Sequence, residues 1–388
     1  MPEAVIVATA RTPIGRAKKG SLVDVRSDDL GAFVVRRVVE QAPGLDPAEV
    51  DDVIMGVASQ FGESGVNTAR DMALLAGLPN TVSGTTVARQ CASSLQSIRM
   101  AFHAIKAGEG TTFVAGGMDS ASRSAGMSGP APEPNPRFVD TDRDDYAGVR
   151  YVHVGITAEN VAERWGISRE RQDAFAKLSQ DRAVAAQRNG RLALEISPYT
   201  RDDGVVVTDD DGPRPGTTLE KLAELQPVFK EGGTVTAGNS CPTNDGAAAV
   251  LVMADDRARA LGLTPLARVV ATSIAGVAPD IMGVGPIEAV PKLLKATGLS
   301  MGDIDVVELN EAFASQVLAC VDDLGISIED QLNPHGGAIA LGHPPGMTGA
   351  RLVGSLLHSL RERDGRYGIA TMCVGGGMGM AVLVELLN

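Results

Sequence analysis

Two stretches of this chain present the same order of apolar segments, about 250–260 residues apart. Three pairs of short apolar and β-branched runs, each typical of a strand, keep this separation: residues 4–9 with 267–272, 50–54 with 304–308, and 113–118 with 371–378. A single match would mean little. Because the order is preserved as well, the sequence predicts a duplicated βαβαβ unit. Duplication implies a pseudo-twofold axis, near which loops at equivalent strand ends would meet.

Helical patterns fill the intervals between the predicted strands. Ser27 is a candidate cap for a helix with apolar residues at positions 30, 33, 34 and 38. Pro286 opens a segment with the same periodicity in the second half. Further helices are predicted to begin near Cys91 and near Met347, each after a turn rich in glycine or serine. The two halves thus place corresponding turns at corresponding helix starts.

A segment of different composition separates the two similar halves. Prolines at alternate positions in residues 129–136 exclude a regular helix and predict a loop arm. Two helical patterns follow at 157–165 and 168–190, the second with Ser168 as a candidate cap and Gly190 as its end. The predicted domains are an N-terminal half, 1–120 with about 244–265; an inserted loop domain, 121–243; and a C-terminal half, 266–388.

Composition narrows the class of protein. Hydrophobic residues make up 44% of the 388 residues but aromatic ones only 3%, which suits an α/β core of small aliphatic side chains. The net charge of −13 argues against nucleic acid as a partner. The four cysteines show neither a disulfide framework nor zinc spacing, which favours a reducing, cytoplasmic setting and no metal. Because no run approaches the ~20 apolar residues of a membrane span, we expect no membrane partner.

Cys91 is a candidate nucleophile. It directly precedes a helical apolar face at residues 92–105, so its sulfur is expected near a helix N-terminus. Backbone N–H groups and the helix dipole would stabilise a thiolate there and lower the pKa of the thiol. Cysteine is also among the most often buried residues, and on the local pattern alone simple packing is about as favourable an interpretation.

Two other glycine-rich segments offer reactive side chains. His343 stands between Gly342 and Pro344, in a rigid turn that would hold an imidazole in the fixed direction a general base needs. A lone histidine in a loop is more often simply solvated. Cys373 ends a predicted strand before three glycines, whose N–H groups could serve as oxyanion donors. Glu311 follows another strand and is as well explained as a cap of the next helix as by a catalytic role.

Taken together, these segments resemble the thiolases, and the similarity runs essentially end to end. The strings that carry it, in family order, are Gln90-Cys91 with Ser93, Asn310-Glu311-Ala312-Phe313-Ala314, the run 336–344 ending in Gly342-His343-Pro344, and Cys373-Val374-Gly375-Gly376-Gly377. The resemblance implies a thiolase-like, five-layered αβαβα fold of two duplicated halves with an inserted loop domain. It also implies a homodimer or homotetramer.

The resemblance further assigns catalytic roles. Cys91 would be the nucleophile and His343 the base that activates it. Cys373 would protonate the leaving enolate, or remove the proton in condensation. Asn310 would hold a water that, with His343, binds the thioester oxygen. The N–H groups of Cys91 and Gly375 would form a second oxyanion site, and two sites are needed because C–C cleavage places negative charge on oxygen twice.

Substrate contacts come from the same resemblance. His153 and Arg214 would lie along coenzyme A, Cys241 near its pantetheine arm, and Met282 in the wall of the acyl pocket. CoA is then a substrate, with no permanently bound cofactor. The implied reaction is cleavage of 3-ketoacyl-CoA by CoA, as in fatty-acid β-oxidation, or the reverse Claisen condensation. The alternatives are an acetoacetyl-CoA-specific biosynthetic thiolase and a non-catalytic acyl-CoA- or lipid-binding relative.

Two other enzyme classes also use a nucleophilic cysteine. A condensing enzyme of the ketoacyl-synthase type would pair it with two histidines, or with His and Asn, and the second thiol at Cys373 speaks against that assignment. A cysteine protease would need a Cys/His pair but gives no reason for the duplicated halves. A catalytically inactive thiolase would be expected to lack Cys91, His343 or Cys373, and all three are present.

Overall fold

A computed structural model of the protein describes residues 2–124, 133–148, 150 and 152–387. The strands are β1 Ala4–Arg11, β2 Gly15–Arg16, β3 Asp52–Gly56, β4 Ser83–Val87, β5 Thr112–Ser120, β6 Tyr199–Thr200, β7 Val206–Val207, β8 Asn244–Ala254, β9 Ala267–Gly276, β10 Val306–Leu309, β11 Tyr367–Val374 and β12 Met378–Leu386. The helices are α1 Ser27–Glu40, α2 Thr68–Leu75, α3 Ser93–Ala107, α4 Ala121–Ser124, α5 Val154–Trp165, α6 Arg169–Arg188, α7 Leu219–Ala223, α8 Asp255–Ala260, α9 Gly285–Thr297, α10 Ala314–Leu324, α11 Ala338–Leu341 and α12 Pro345–Glu362. No helix within these ranges is long and apolar enough to cross a membrane.

The strand order is the same in both halves. The first half runs β1-β8-β5-β3-β4 and the second β9-β12-β11-β10. In each half the first three strands are antiparallel, and the third and fourth are parallel. A parallel bridge between Val307 and Leu332 stands where β3 pairs with β4 in the first half. Antiparallel pairing of Val5 with Arg268 and of Ile6 with Ala267 joins the halves along β1 and β9.

Helices lie in three layers around these strands. The outer face of the first half packs against α1 and α2, through residues such as Val34 and Met72. The outer face of the second half packs against α9 and α10, through Val290 and Val317. Between the halves lie α3 and α12, in a core shared by both sets of strands. The layers therefore alternate αβαβα, and the predicted five-layered, duplicated fold class is confirmed.

Several local predictions need correction. Ser27 does not cap α1: it is the first helical residue, and its N–H and hydroxyl donate to the carboxylate of Glu63 at 2.9 and 3.2 Å, a charged acceptor that outcompetes the cap. The predicted strand 371–378 is two strands. Gly376 and Gly377 adopt φ of +88° and +84° and turn β11 back into β12. These positive φ values are readily available only to glycine.

The predicted insertion supplies α4 to α7 and the β6–β7 pair, between β5 and β8. Ser168 caps α6 as predicted, accepting a hydrogen bond from the N–H of Arg171. Helix α6 lies against the second half, where Arg182 donates to the carbonyl of Leu332 at 2.8 Å. Part of the predicted loop arm, residues 129–132, lies outside the described residues; Pro136 begins a short 3-10 turn.

Candidate active site

The candidate nucleophile and the candidate base stand before neighbouring helices. Cys91 precedes α3 by two residues, and His343 precedes α12 by two. The two helices pack near their starts, where the N–H of Ala350 donates to the hydroxyl of Ser94 at 2.9 Å. Because this contact aligns the helix starts, it brings both residues to the same end of the central layer.

Cys91 faces the glycine turn between β11 and β12. The backbone N–H groups of Gly375 and of Cys91 itself lie close enough to the Cys91 sulfur to favour its thiolate form. Burial, with a smaller effect of the nearby carboxylate of Asp119, raises the pKa of the Cys91 thiol to about 11. The predicted lowering of this pKa is therefore wrong for the free enzyme, since removal from water outweighs the two N–H groups.

His343 is held by hydrogen bonds at several atoms. The hydroxyl of Thr348 donates to the carbonyl of Pro344 at 2.8 Å, so it accepts from the Nδ1–H of His343 at 2.7 Å. This assigns the proton to Nδ1 and leaves the lone pair on Nε2, which lies 3.5 Å from Asn310 Nδ2. The backbone N–H of His343 donates to Asn244 Oδ1 at 3.0 Å. The imidazole is thus oriented and tautomerically defined.

The environment also keeps the imidazole neutral. Burial, and then the buried guanidinium of Arg351, together lower the pKa of His343 to about 3. Arg351 lies 3.4 Å from the carboxylate of Glu308, whose own pKa burial raises to about 8. A neutral thiol and a neutral imidazole therefore coexist in the free enzyme over the whole neutral range of pH.

Asn310 follows β10 at the strand's carboxyl end. Its backbone N–H donates to Thr371 on β11 at 3.0 Å, which fixes the residue beside the second thiol-bearing strand. Its Oδ1 is buried and accepts no hydrogen bond from the described residues. The amide thus offers a donor beside His343 and an acceptor to a polar group in the pocket.

Glu311 does not cap α10, which contradicts the helix-cap interpretation for that helix. Its carboxylate instead accepts from the hydroxyl of Ser179 at 2.6 Å, from Asn333 Nδ2 at 2.8 Å, and from the N–H of Ile339 at 3.2 Å, in the first turn of α11. It therefore ties α6, in the insertion, to the segment that leads to His343. That network indicates a structural role.

A second cluster surrounds Cys373. Cys373 is fully buried together with Met282 and Phe313, and Cys241 packs against them half-buried. Burial, and then the neighbouring thiol of Cys91, raise the pKa of both Cys373 and Cys241. The structure thus brings Cys91, Cys373, Cys241 and Met282 together.

His153 and Arg214 lie further out. His153 is exposed, caps α5 by accepting from the N–H of Gly155 at 3.2 Å, and stands 5.2 Å from the ring of Phe229. Phe229 in turn packs on Phe313 of the Cys373 cluster, at 6.1 Å between ring centroids. The exposed Arg214 is held through its backbone N–H by Gln180 Oε1 at 2.8 Å. These positions fit an approach path rather than the reacting centre.

Sequence reasoning missed three supporting residues. Thr348 and Asn244 hold His343, and Asp119 accepts from the N–H groups of Ala58 and Ser59 at 3.1 and 2.9 Å and from the first turn of α12. Thr348 could have been suspected from its place one helical turn after His343. Asp119 and Asn244 carry no local signal, because their partners are remote in sequence. Among the described residues, no three His, Cys, Asp or Glu side chains group as metal ligands.

A duplicated α/β fold whose halves meet at thiols, an imidazole and a glycine turn suits an enzyme that transfers an acyl group through a covalent thiol intermediate. The thiolase N-terminal domain family matches residues 4–256, and the thiolase C-terminal domain family matches residues 263–386. The chain therefore belongs to the thiolase family, as its motifs predicted.

Similar proteins cover the whole chain. A 3-ketoacyl-CoA thiolase of Bacillus subtilis is 46% identical over 398 residues, covering 100% of both chains. A β-ketoadipyl-CoA thiolase of Pseudomonas aeruginosa is 48% identical, covering 99% of each. The crystal structure of the Bacillus anthracis acetyl-CoA acetyltransferase matches with a TM-score of 0.90 and 40% identity, over 100% of this chain and 99% of that one.

Proposed function

We propose that this thiolase cleaves 3-ketoacyl-CoA with CoA, through an acyl-Cys91 intermediate, and catalyses the reverse condensation. One observation carries the proposal: two backbone N–H groups, of Cys91 and Gly375, converge on the Cys91 sulfur while the second thiol, Cys373, lies beside it. Donors that meet at the nucleophile also meet the oxygen of a carbonyl that it attacks. A thiol that only packed would not require them.

In the acylation half, Nε2 of His343 takes the proton of Cys91 as the sulfur attacks the C3 carbonyl. The developing oxyanion accepts from the N–H groups of Cys91 and Gly375. The C2–C3 bond then breaks, and its electron pair forms the enolate of acetyl-CoA. Asn310, through a water, and His343 stabilise the enolate oxygen while Cys373 protonates C2 and becomes a thiolate.

In the second half, a new CoA thiol gives its proton to the Cys373 thiolate and attacks the carbonyl of acyl-Cys91. The Cys91 sulfur leaves and takes back its proton from His343. The product is an acyl-CoA two carbons shorter, and both thiols and the imidazole return to their starting states.

The protonation states of Cys91 and His343 in the free enzyme favour this sequence of steps. With the pKa of Cys91 raised to about 11 and that of His343 lowered to about 3, no thiolate–imidazolium pair forms before substrate binds. Proton transfer is coupled to attack, so negative charge moves from sulfur to an oxygen that already faces two N–H donors. The energy gained is therefore realised in the transition state rather than in the ground state.

Two narrower alternatives concern the substrate and the activity. An acetoacetyl-CoA-specific biosynthetic thiolase would accept only the shortest acyl group, whereas a non-catalytic acyl-CoA- or lipid-binding protein would use none of the thiols. The two N–H donors on Cys91 favour catalysis. The similar proteins include both 3-ketoacyl-CoA and β-ketoadipyl-CoA thiolases, so 3-ketoacyl chains longer than acetoacetyl, with or without a terminal carboxylate, are the preferred proposal.

Further parts of the proposal concern assembly and location. Strand β4 lies at the edge of the sheet, and Phe61 and Val66 nearby are 43% and 96% exposed. An unpaired edge beside exposed apolar side chains favours pairing with a second copy, in a homodimer or homotetramer. All four cysteines are unpaired, which favours the reducing cytoplasm. CoA is taken as a substrate, with no permanently bound cofactor.

The decisive test is to find the covalent intermediate. The protein is incubated with acetoacetyl-CoA or 3-oxohexanoyl-CoA, and its peptides are analysed by mass spectrometry. The acyl mass should appear on the peptide containing Cys91, and Cys91→Ala should abolish both labelling and thiolysis. Cys320→Ala is the matched control, since Cys320 is buried inside α10. Label on another cysteine with Cys91→Ala still active would exclude the mechanism.

A further inference from the structure

The guanidinium group of Arg150 lies against the glycine turn of the candidate active site. A Cβ built at Gly376 would lie 2.9 Å from Cζ and Nη2 of Arg150, and 3.1 Å from Nη1. The planar face of the guanidinium therefore covers the position a side chain would take there. Arg150 is half-buried, and it comes from the insertion rather than from the halves that carry Cys91 and Cys373.

The two neighbours of Gly376 have different surroundings. The N–H of its neighbour Gly375 lies close to the Cys91 sulfur. On its other side, Gly377 packs against the 277–283 segment: a Cβ on Gly377 would lie 2.3 Å from the carbonyl of Val277 and 2.9 Å from Pro279. That segment carries Met282, which packs with Cys373. Arg150 thus lies over the turn that joins Gly375, near the sulfur, to Gly377, against the 277–283 segment.

We propose that Arg150 determines acyl specificity by binding a carboxylate at the far end of the acyl chain. This inference rests on the proposed function. A four-carbon acyl group on Cys91 that ends in a carboxylate reaches about 5 Å from the sulfur when extended, and a charge-assisted hydrogen bond adds about 2.8 Å. The Arg150 guanidinium lies against Gly376, the residue after Gly375, and so is at about this combined distance from the sulfur. Its fork can bind both carboxylate oxygens, which a neutral chain end cannot match.

The neighbouring side chains favour an acyl carboxylate over the phosphates of CoA. His153, on the predicted CoA path, is three residues further along the chain and packs on Phe229. Arg150 lies against Gly376 instead, so the two side chains have different neighbours. The rest of the cluster is apolar, with Met282 and Phe313 buried against Cys373. A cation beside such a surface disfavours an alkyl end and attracts an anionic one.

The experiment compares two substrates of similar length, 3-oxoadipyl-CoA with a terminal carboxylate and 3-oxohexanoyl-CoA without one. Thiolysis is followed for the wild type, Arg150→Ala and Arg150→Lys, with KM for CoA measured separately. Arg143→Ala is the matched control, because it removes the same charge from a nearby exposed residue that pairs with Asp145 at 2.7 Å. We expect the wild type to prefer 3-oxoadipyl-CoA. Arg150→Ala should lower kcat/KM for that substrate about 10–100-fold and leave the neutral one within about twofold.

Each other outcome has a defined meaning. If Arg150→Ala leaves the ratio of the two kcat/KM values unchanged while both substrates are cleaved, the specificity role is refuted and the thiolase function stands. An equal loss for both substrates, with a raised KM for CoA, would assign Arg150 to CoA and refute the inference as well. Cleavage of neither substrate by the wild type would refute the proposed function itself. Arg150→Lys keeps the charge without the fork, so partial retention of the preference separates binding from misfolding, which circular dichroism also monitors.

Discussion

The contact between α3 and α12 can be tested with one substitution made at two positions of α12. Gly349 and Gly354 both lie in the interior of this helix, where replacing glycine by alanine ordinarily stabilises a protein by about 1 kcal/mol. Their surroundings differ. A Cβ at Gly349 would lie 2.6 Å from the backbone nitrogen of Leu95 and 2.9 Å from Ser94 Oγ, whereas the nearest atom to a Cβ at Gly354 is 4.0 Å away, on Thr9.

The two variants should therefore change stability in opposite directions. Gly354→Ala has room for its methyl group and should gain about 0.5–1 kcal/mol in the free energy of unfolding. Gly349→Ala must push the backbone of α3 away from α12, and overpacking of this kind costs about 1–3 kcal/mol, more than the helix propensity returns. The displacement also moves Cys91 relative to His343, so acylation should slow by about 10–100-fold in Gly349→Ala alone.

Urea denaturation at one protein concentration measures the first effect, and single-turnover acylation by 3-oxohexanoyl-CoA measures the second. Gly354→Ala is the control for helix propensity because it lies in the same helix. Equal stability of the two variants, or wild-type acylation in Gly349→Ala, would show that α3 and α12 do not approach as closely as described. The placement of Cys91 beside His343 would then lose its basis.

Three further predictions concern the chemistry. Thr348→Val should slow acylation of Cys91 by about 10–100-fold, because the Nδ1–H of His343 loses its acceptor and the proton can shift to Nε2. Thr348→Ser keeps the hydroxyl and should acylate at nearly the wild-type rate. Equal acylation rates for the two variants would exclude the orienting role of Thr348. Cys373→Ser should still accept an acyl group on Cys91 from acetyl-CoA but lose C–C cleavage by about 10²–10⁴-fold, and a parallel loss of both half-reactions would contradict the separate roles of the thiols. The rate of inactivation by iodoacetamide should keep rising as the pH passes 9, because burial raises the pKa of Cys91 to about 11 and little thiolate is present below that pH. A rate that reaches its plateau below pH 8 would show that Cys91 and His343 form an ion pair in the free enzyme.

The pH dependence of stability has a sign that follows from the same burial. The pKa of His343 is lowered to about 3, so the folded protein resists protonation of a group that the unfolded chain protonates near pH 6.5. This group therefore contributes stability above about pH 6.5 that is lost as the pH falls toward 3. Cys91 acts in the opposite direction: its raised pKa contributes stability below about pH 9 that is lost as the pH rises toward 11.

The sequence by itself determined the elements and the chemistry they carry. Alternating and helical periodicities are local, so residues 4–9 and 267–272 could be assigned to strands, and the order of such segments revealed the duplication. The glycine-rich settings of Cys91, His343 and Cys373 likewise marked reactive side chains before any contact was known. Ser168 was identified as a cap because a cap acts on its own helix.

Only the tertiary structure determined how these elements pack together and how that packing shifts the pKa values of their side chains. Strand β8, which follows the insertion, lies between β1 and β5, a neighbour relation that no local pattern contains. The raised pKa of Cys91 contradicts the helix-dipole argument because burial is a property of the assembled site. Asp119 and Arg150 join the site across long stretches of chain for the same reason. Periodicity depends on residues that are neighbours in sequence. Desolvation and side-chain contacts depend on residues that are remote in sequence and come together only in the folded chain.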